Sequence, residues 1–203
     1  MYRGIRVSVM NEIRKLSELD EKQIEQSINV FVDGFYFTLS SFSKDREKLR
    51  KLFVNSFDTD MTYAYLQDGK ALGFLGLATH QKRPTKLNET TFIKEFGGFS
   101  GKRLYKAASA AMEKPVAINP EDIFIDYIAT STEHRSKGIG KQLIEFIRNT
   151  LGHKHIELET YTKNTRAIAF YERLGFKAIR VKKSLMMRIK GFGNRIYMRW
   201  DAE

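Results

Sequence analysis

Cysteine is absent from the 203 residues of this chain, and proline occurs only three times. The lack of cysteine excludes disulfides, thiolate metal ligands and a cysteine nucleophile. No apolar run approaches the roughly 20 residues that a transmembrane helix needs, and the segment from Met1 to Asn11 lacks the apolar core of a signal peptide. We therefore expect a cytoplasmic protein with no membrane partner.

Acidic residues are too few to balance the basic ones. The chain has 35 Lys and Arg against 24 Asp and Glu, a formal net charge of +11. This imbalance predicts an anionic partner, and nucleic acid, an acidic membrane or a phosphate-rich cofactor would each satisfy it. The segment from Lys177 to Trp200 contains no Asp or Glu but carries Lys177, Arg180, Lys182, Lys183, Arg188, Lys190, Arg195 and Arg199.

Length and hydrophobic fraction favour a single domain over residues 1–203. In the first half, apolar spacing predicts a strand, two helices and two further strands. These elements are Ile5 to Met10, Glu21 to Phe31, Lys44 to Phe57, Met61 to Gln67 and Ala71 to His80. Asp68-Gly69 between the last two strands predicts an antiparallel hairpin. We interpret residues 81–120, with a helix near Arg103 to Met112, as an insertion over one end of the sheet.

The second half alternates strands and helices more regularly. Strands are predicted at Ile123 to Ala129, His155 to Thr160, Phe176 to Lys183 and Arg195 to Trp200, helices at Lys137 to Leu151 and Thr165 to Leu174, and a basic loop at Ser184 to Asn194. Two consecutive right-handed strand-helix-strand crossovers would make the centre of the sheet parallel. The expected fold class is α/β, with a mixed sheet and helices on both faces.

Two glycines lie where the strand before Ser131 leads into the next helix, in the run Arg135-Ser136-Lys137-Gly138-Ile139-Gly140-Lys141. Without a Cβ, glycine lets backbone approach a ligand, and N–H groups at such a turn bind anions such as pyrophosphate. A plain tight turn explains the glycines equally well. The run is neither a Walker loop nor a dinucleotide fingerprint.

A second segment lies about one strand further on, Asn164-Thr-Arg-Ala-Ile-Ala-Phe-Tyr171-Glu-Arg-Leu-Gly175-Phe176. Arg-x-x-Gly-x-Gly followed by Asn-x-x-Ala-x-x-x-Tyr-x-x-x-Gly-Phe resembles the GNAT superfamily of N-acetyltransferases. The resemblance implies a GNAT-like fold and acetyl-CoA as co-substrate. It also implies that Asn164 steadies the CoA and that Tyr171 is the general acid. Its further implied CoA contacts are Ile128, Ala129 and Thr130 to the pantetheine arm, and Arg135, Ser136, Lys137, Gly138, Ile139, Gly140 and Lys141 to the pyrophosphate.

The helical spacing of Asn164 and Tyr171 is compatible with these roles. They are seven residues apart in the sequence, about two helical turns, so both can face one groove. The alternative is that Tyr171 is a core aromatic residue and Asn164 a helix cap. Gly175 and Phe176 are more simply a helix C-cap and a buried aromatic residue.

A primary amine is mostly protonated at neutral pH, so its attack on a thioester needs a base. The candidates are Asp126, Glu159, Glu157 and His80. We prefer Asp126, because it interrupts an apolar strand and should share a face with Ile128. A carboxylate paired with a basic neighbour is an equally good explanation of Asp126.

His153 and His155 form a His-x-His pair without an evident third ligand, so we predict no metal site. The sequence thus predicts direct transfer of acetyl from acetyl-CoA to a primary amine. The expected acceptor is a small molecule that bears an anionic group. The alternatives are an acetyltransferase acting on a protein amine and a basic nucleic-acid- or ribosome-associated binding protein. Nucleic acid is not the expected partner, and a homodimer is a further expectation.

Overall fold

Seven strands form one mixed sheet in the order β1-β2-β3-β4-β5-β7-β6. The structure is a computed structural model that describes residues 11–203, and the strand predicted at Ile5 to Met10 lies outside these residues. The strands are β1 Asn11–Lys15, β2 Thr62–Gln67, β3 Lys70–Ala78, β4 Ile123–Thr130, β5 His155–Tyr161, β6 Lys177–Lys182 and β7 Arg195–Asp201. The expected α/β class with a mixed sheet is confirmed.

Helices cover both faces of this sheet. They are α1 Glu21–Leu39, α2 Arg46–Phe53, α3 Glu89–Phe96, α4 Gly98–Met112, α5 Ile139–Asn149, α6 Thr165–Arg173 and α7 Leu185–Ile189. One core lies beneath α1 to α4, where the Phe31 ring contacts those of Phe53, Phe57, Phe74 and Tyr127 at centroid distances of 4.9–5.2 Å. The other core lies beneath α5 and α6.

Helix α1 begins at a capping box made by Asp20 and Gln23 and extends well past its predicted end at Phe31. Val32, Phe35 and Tyr36 continue the apolar spacing beyond that point. Gly34 lies on this extension, where a Cβ would stand only 2.6 Å from the Cβ of Ala129. The glycine therefore allows the second half of α1 to lie directly on the C-terminal half of β4.

The predicted hairpin is confirmed, with β2 and β3 antiparallel around Asp68 and Gly69, both at positive φ. Both predicted crossovers connect parallel strands, because β5 is parallel to β4 and β6 runs in the same direction as β5. Only β4 and β5 are parallel neighbours, because β7 lies between β5 and β6 and is antiparallel to both. Hydrogen bonding to β7 therefore satisfies the edge of β5 that faces away from β4.

Residues 81–120 contain two helices rather than the single one predicted. Helix α3 begins at the cap Asn88 and buries Phe92. It packs on α4, where a Cβ at Gly101 would stand 2.5 Å from the carbonyl oxygen of Phe92. Both helices contribute to the core beneath α1. Likewise the predicted basic loop at Ser184 to Asn194 contains the short helix α7, and α2 is shorter than predicted.

Among the residues that the structure describes, no helix is both long enough and apolar enough to cross a membrane.

Candidate functional site

The parallel strands β4 and β5 separate before they end. Their ladder runs from Ile123 and Ile156 to Ile125 and Leu158, although the strands continue to Thr130 and Tyr161. On its other side β4 stays paired with β3 as far as Thr130. Residues 126–130 therefore turn one row of backbone groups toward a groove between β4 and β5, and we call this row the free edge of β4. Ligands of open α/β sheets bind in such crevices at the carboxyl ends of parallel strands.

The free edge leads into the glycine turn that precedes α5. Ser136 and Gly138 both adopt left-handed conformations, with φ values of 65° and 84°, and α5 begins at Ile139. Gly138 is the N-cap and has no side chain to satisfy the first N–H groups of the helix. These N–H groups and the positive end of the helix dipole suit an anion at this point.

The two glycines of the turn have different roles. A Cβ at Gly138 would meet nothing within 4 Å, so its positive φ is what requires glycine. At Gly140 a Cβ would stand 3.1 Å from the Phe170 ring. Gly140 thus permits close packing of α5 on α6, and its contact with the CoA pyrophosphate stays a prediction.

The charges around the turn come from two helices. Arg135 and Lys137 are exposed at the turn, whereas Lys141 pairs with Glu145 of its own helix at 3.4 Å. The guanidinium of Arg166, on α6, donates to the hydroxyl oxygen of Ser136 over 3.1 Å. The sequence analysis missed Arg166, because it occupies an unspecified position of the Asn-x-x-Ala segment.

Asn164 joins the end of β5 to the start of α6. Its side-chain oxygen accepts from the backbone N–H of Ala167 at 3.3 Å, and its Nδ2 lies 3.4 Å from the hydroxyl of Thr160. Asn164 is therefore the N-cap of α6, as the alternative interpretation had it. A role in steadying CoA stays a prediction, since the residue is also exposed.

Tyr171 lies in the core beneath α5 and α6. Its ring packs against those of Phe170 and Phe176 at 5.2 and 5.6 Å, and the residue is 8% exposed. Burial raises the pKa of the phenol above its ordinary value. The hydroxyl therefore keeps its proton at neutral pH, as a proton donor must.

Asp126 lies at a β-bulge in β4, opposite the step from Gly76 to Leu77. The bulge breaks the strict alternation of side chains. Ile128 packs toward the core beneath α5, whereas its neighbour Tyr127 belongs to the core beneath α1. Asp126 lies on the α1 side, because its partner Arg83 also donates to the carbonyl oxygen of Ala111 on α4, a helix that packs on the core beneath α1. The expectation that Asp126 and Ile128 share a face is therefore wrong.

Both carboxylate oxygens of Asp126 accept hydrogen bonds from Arg83, one of them from Nε at 2.7 Å. The side chain of Asp126 is 2% exposed. Burial raises its pKa, Arg83 opposes that effect, and Glu159 adds to it. Asp126 is thus the buried, ion-paired carboxylate that the alternative interpretation described.

The other candidate bases differ in their surroundings. Glu157 pairs with Arg199 at 2.9 Å, within a network that also includes Asp122. Glu159 lies 3.4 Å from Arg195, and its side chain is 22% exposed. His80 follows β3 at the edge where β4 begins, away from the free edge. Of these groups, Glu159 is the one next to the point where β4 and β5 separate, and its side chain is partly exposed.

Three aromatic side chains meet beside the groove, and we call them the aromatic trio: Phe37 of α1, Tyr161 at the end of β5, and Phe192 after α7. The Phe192 ring lies 4.7 Å from Phe37 and 4.6 Å from Tyr161. The backbone of Lys163 donates to the carbonyl of Phe192 at 3.2 Å and holds this segment on the end of β5. Sequence reasoning missed the trio because its members come from distant parts of the chain.

The His-x-His pair does not converge on a shared ligand. The Nδ1 atom of His155 lies 2.7 Å from Asp201, and burial lowers the pKa of His153. Within residues 11–203, no group of three His, Asp or Glu side chains is arranged to hold a metal ion.

Known proteins resemble this chain in sequence and in fold. A curated 5-NmdU N-acetyltransferase of Pseudomonas phage PaMx11 is 40% identical over 57 residues. That match covers 28% of this chain and 40% of the phage protein, so it spans less than half of the relative's length.

Solved structures match nearly the whole chain at low sequence identity. A structure described as histone acetyltransferase HPA2 and related acetyltransferase, from Corynebacterium glutamicum, has a TM-score of 0.60 at 16% identity, covering 95% of this chain and 97% of that one. The N-acetyltransferase of Staphylococcus aureus Mu50 has a TM-score of 0.58 at 15% identity, with 93% and 100% covered. The ribosomal-protein-S18-alanine N-acetyltransferase of Escherichia coli has 0.54 at 16% identity, with 96% and 95% covered.

Residues 28–176 match the sequence profile of the Acetyltransferase (GNAT) family. The matched range runs from α1 to Phe176 and includes the free edge of β4, the glycine turn and α6. The chain therefore belongs to the GNAT acetyltransferase family.

Proposed function

We propose that this protein is an acetyl-CoA-dependent N-acetyltransferase that acts on a primary amine. The observation that carries the proposal is the early end of the ladder between β4 and β5, at Ile125 and Leu158, beside an anion-binding turn. A ligand that fits must combine a hydrogen-bonding arm with a negatively charged end. Acetyl-CoA, with its pantetheine amides and pyrophosphate, has both.

The residues at the groove suit this ligand. The free edge, which includes Ile128, Ala129 and Thr130, offers backbone donors and acceptors to an extended arm. The turn from Arg135 to Lys141 offers N–H groups and exposed cationic side chains to the pyrophosphate. Arg166 adds a guanidinium at the same turn. Bound there, acetyl-CoA would supply an activated acyl carbon at the inner end of the groove.

Transfer by direct attack requires two proton movements. The amine nitrogen forms a bond to the thioester carbon, the carbon–sulfur bond breaks, and the acetyl group ends on nitrogen. A base takes the proton that the amine loses, and an acid gives a proton to the sulfur. Tyr171 is our acid, because its buried phenol is protonated at neutral pH.

For the base we prefer Glu159 to our original candidate, Asp126. Arg83 occupies both oxygens of Asp126, which is almost fully buried. Glu159 accepts from Arg195 at 3.4 Å but remains partly exposed, next to Tyr161 at the end of β5. A carboxylate that water or substrate can reach is the better proton acceptor.

The acceptor is proposed to carry an anionic group besides its amine. The side of the sheet next to the aromatic trio bears Arg195, Arg199 and the basic residues of β6. A polycationic acceptor would be repelled there, which disfavours a lysine-rich protein. The phage relative's name specifies 5-NmdU as its acceptor. A cytoplasmic location and a homodimer stay predictions.

Acetyl-CoA binding and turnover test this proposal together. Millimolar acetyl-CoA should raise the thermal midpoint, since a ligand that binds only the native state stabilises it by mass action. Acetyl-CoA is also incubated with a panel of amines, with and without a carboxylate or phosphate. The enzyme should release CoA thiol from acetyl-CoA only with certain members of the panel. The absence of any thermal shift at millimolar acetyl-CoA would contradict the proposal.

A further inference from the structure

Three rows of side chains cross β5, β7 and β6 on the side of the sheet that faces the aromatic trio. Directly opposed residues of neighbouring strands place their side chains on the same face. The register therefore defines the rows Tyr161-Arg195-Lys182, Glu159-Tyr197-Arg180 and Glu157-Arg199-Lys177. The Arg180 guanidinium lies 4.1 Å from the centre of the Tyr197 ring, which agrees with that placement. Positive charge thus increases from the groove outward to the edge of the sheet.

In the part of the chain that the structure describes, the outer cations have no acidic partners. Within residues 11–203, no ion pair shorter than 4 Å involves Lys177, Arg180, Lys182, Lys183, Arg188 or Lys190. All six are exposed, and we call them the basic strip. Unpartnered like charges along one edge repel one another, so a second copy of this edge is a poor partner and a polyanion is a good one.

The length of the basic strip exceeds what a small anionic molecule needs. One phosphate or carboxylate is satisfied by one or two cations. β6 has six residues and is therefore about 20 Å long. Its cations can contact several successive phosphates of one strand. Apolar Val181 and Ala178 pair with Ile196 and Met198 and so face the other side of the sheet, away from these charges.

The aromatic trio lies at the inner end of the same surface. Phe37 is 66% exposed, although it packs against Phe192. Arg188 in the last turn of α7 and Lys190 at its C-cap immediately precede Phe192, and the backbone N–H of Phe192 donates to the carbonyl of Met187 at 2.9 Å. Exposed aromatic rings beside a cationic track are the combination that binds single-stranded nucleic acid through stacked bases.

We propose that the amine acceptor is carried by a base of a single-stranded polynucleotide. Its phosphates lie along the basic strip, and a base next to the modified one stacks on Phe37 and Phe192. This inference rests on the proposed function, because it names the acceptor of the same site. It also replaces the expectation of a small acceptor and of no nucleic-acid partner. The acetyl group and the protons move as described above.

The first test measures binding of a fluorescein-labelled 20-nucleotide single-stranded DNA by anisotropy at several salt concentrations. The variant Lys182→Glu/Lys183→Glu/Arg188→Glu should bind at least about 30-fold more weakly than the wild type. If each lost cation had neutralised one phosphate, the plot of log association constant against log salt concentration should also become less steep, its negative slope decreasing in magnitude by about 2. The control Lys22→Glu/Lys51→Glu/Lys102→Glu makes the same change of charge on exposed residues of α1, α2 and α4. Equal losses in the two variants would overturn the proposal.

The second test separates base stacking from charge. Phe37→Leu should weaken binding of the oligonucleotide by about tenfold, the scale of one stacked base, but should not weaken binding of an abasic strand of equal length. Phe99→Leu, at an 83% exposed phenylalanine of α4, is the matched control and should change neither. A Phe37→Leu effect of the same size on the abasic strand would contradict a stacking role.

The third test asks whether the polynucleotide is the acceptor. An oligonucleotide with one aminoalkyl base should accept labelled acetyl with a kcat/KM at least tenfold above that of the free aminoalkyl nucleoside. Equal values would overturn the proposal, as would binding to phosphatidylcholine/phosphatidylserine vesicles without binding to the oligonucleotide. The thermal shift by acetyl-CoA, measured on the same preparations, reports the proposed function separately. A normal shift with no oligonucleotide effect would overturn this inference alone.

Discussion

Arg166 of α6 donates to the hydroxyl oxygen of Ser136 over 3.1 Å and so ties α6 to the turn that begins α5. The two residues come from the two halves of the GNAT motif. Arg166 therefore completes a cationic rim around the turn, together with exposed Arg135 and Lys137. The strength of CoA binding should depend on this residue as well as on the glycine turn itself.

Arg166→Gln should weaken acetyl-CoA binding by about 3- to 10-fold, the effect of losing one charge-assisted contact to phosphate at an exposed site. Isothermal titration at low and high salt measures it, and high salt should reduce the difference. Arg173→Gln, at an exposed arginine near the end of the same helix, is the control and should bind normally. S-acetylpantetheine, which has no pyrophosphate, should bind both variants alike. Weaker binding of S-acetylpantetheine by Arg166→Gln than by Arg173→Gln would contradict the placement of Arg166 at the pyrophosphate.

Gly138→Val should abolish the thermal shift by acetyl-CoA. The φ of Gly138 is 84°, and a β-branched residue there is strained although its Cβ would meet no atom within 4 Å. The turn would change conformation to relieve strain of about 1–3 kcal/mol and so lose its array of N–H groups.

Gly138→Asn separates conformation from bulk in this experiment. Asparagine adopts the left-handed region more readily than valine does, so this variant should keep most of the shift. Loss of binding in both variants would mean that any side chain at Gly138 obstructs the ligand. An unaltered shift in a folded Gly138→Val protein would mean that the phosphate site lies elsewhere.

Local sequence signals predicted most elements of the fold and part of the site. Asp68-Gly69 located the hairpin, Asn164 and Gly175 located the ends of α6, and the glycines located the turn. These features depend on dihedral preferences and capping within a few residues, so a single sequence contains them.

Long-range features could not be predicted in this way. β7 lies between β5 and β6. The same alternation of strands and helices in the sequence would also allow the order in which β7 pairs with the outer edge of β6. Arg83 is 43 residues away from Asp126 in the sequence, so their ion pair has no local signature. The bulge that turns Asp126 from the face of Ile128 adds one residue to β4 and reverses any face assigned by simple alternation.

Glu159→Gln and Asp126→Asn should have different effects. Glu159→Gln should lower kcat/KM by roughly 10²–10⁴-fold, as expected for a lost general base. Asp126→Asn should mainly destabilise the fold, by about 3–5 kcal/mol, because it leaves Arg83 as a buried charge without its partner.

The pair variant Arg83→Met/Asp126→Leu distinguishes an ion pair from a base. Removing both charges should recover much of the stability that Asp126→Asn loses, and a purely structural Asp126 predicts recovered turnover as well. Denaturant titrations and steady-state rates on the same preparations measure stability and turnover. Normal turnover in Glu159→Gln, together with no turnover in a stable Asp126 variant, would return the role of base to Asp126.

Tyr171→Phe decides whether this tyrosine donates a proton or only packs. The substitution keeps the ring between Phe170 and Phe176 and deletes the hydroxyl. Stability and acetyl-CoA binding should change little, while turnover should fall by roughly 10²–10⁴-fold, the usual effect of losing a general acid. Because burial raises the phenol pKa, the wild-type profile should show no loss of the acid near neutral pH.

Tyr63→Phe is the matched control for this experiment. Tyr63 is 7% exposed, belongs to the same core and packs against Phe146, so it reports the cost of removing a buried hydroxyl without removing the proposed acid. Single-turnover measurements report the rate of the chemical step even if product release limits the steady-state rate. Equal rates of acetyl transfer in wild type and Tyr171→Phe would show that the thiolate takes its proton from another source, and Tyr171 would then be a packing residue.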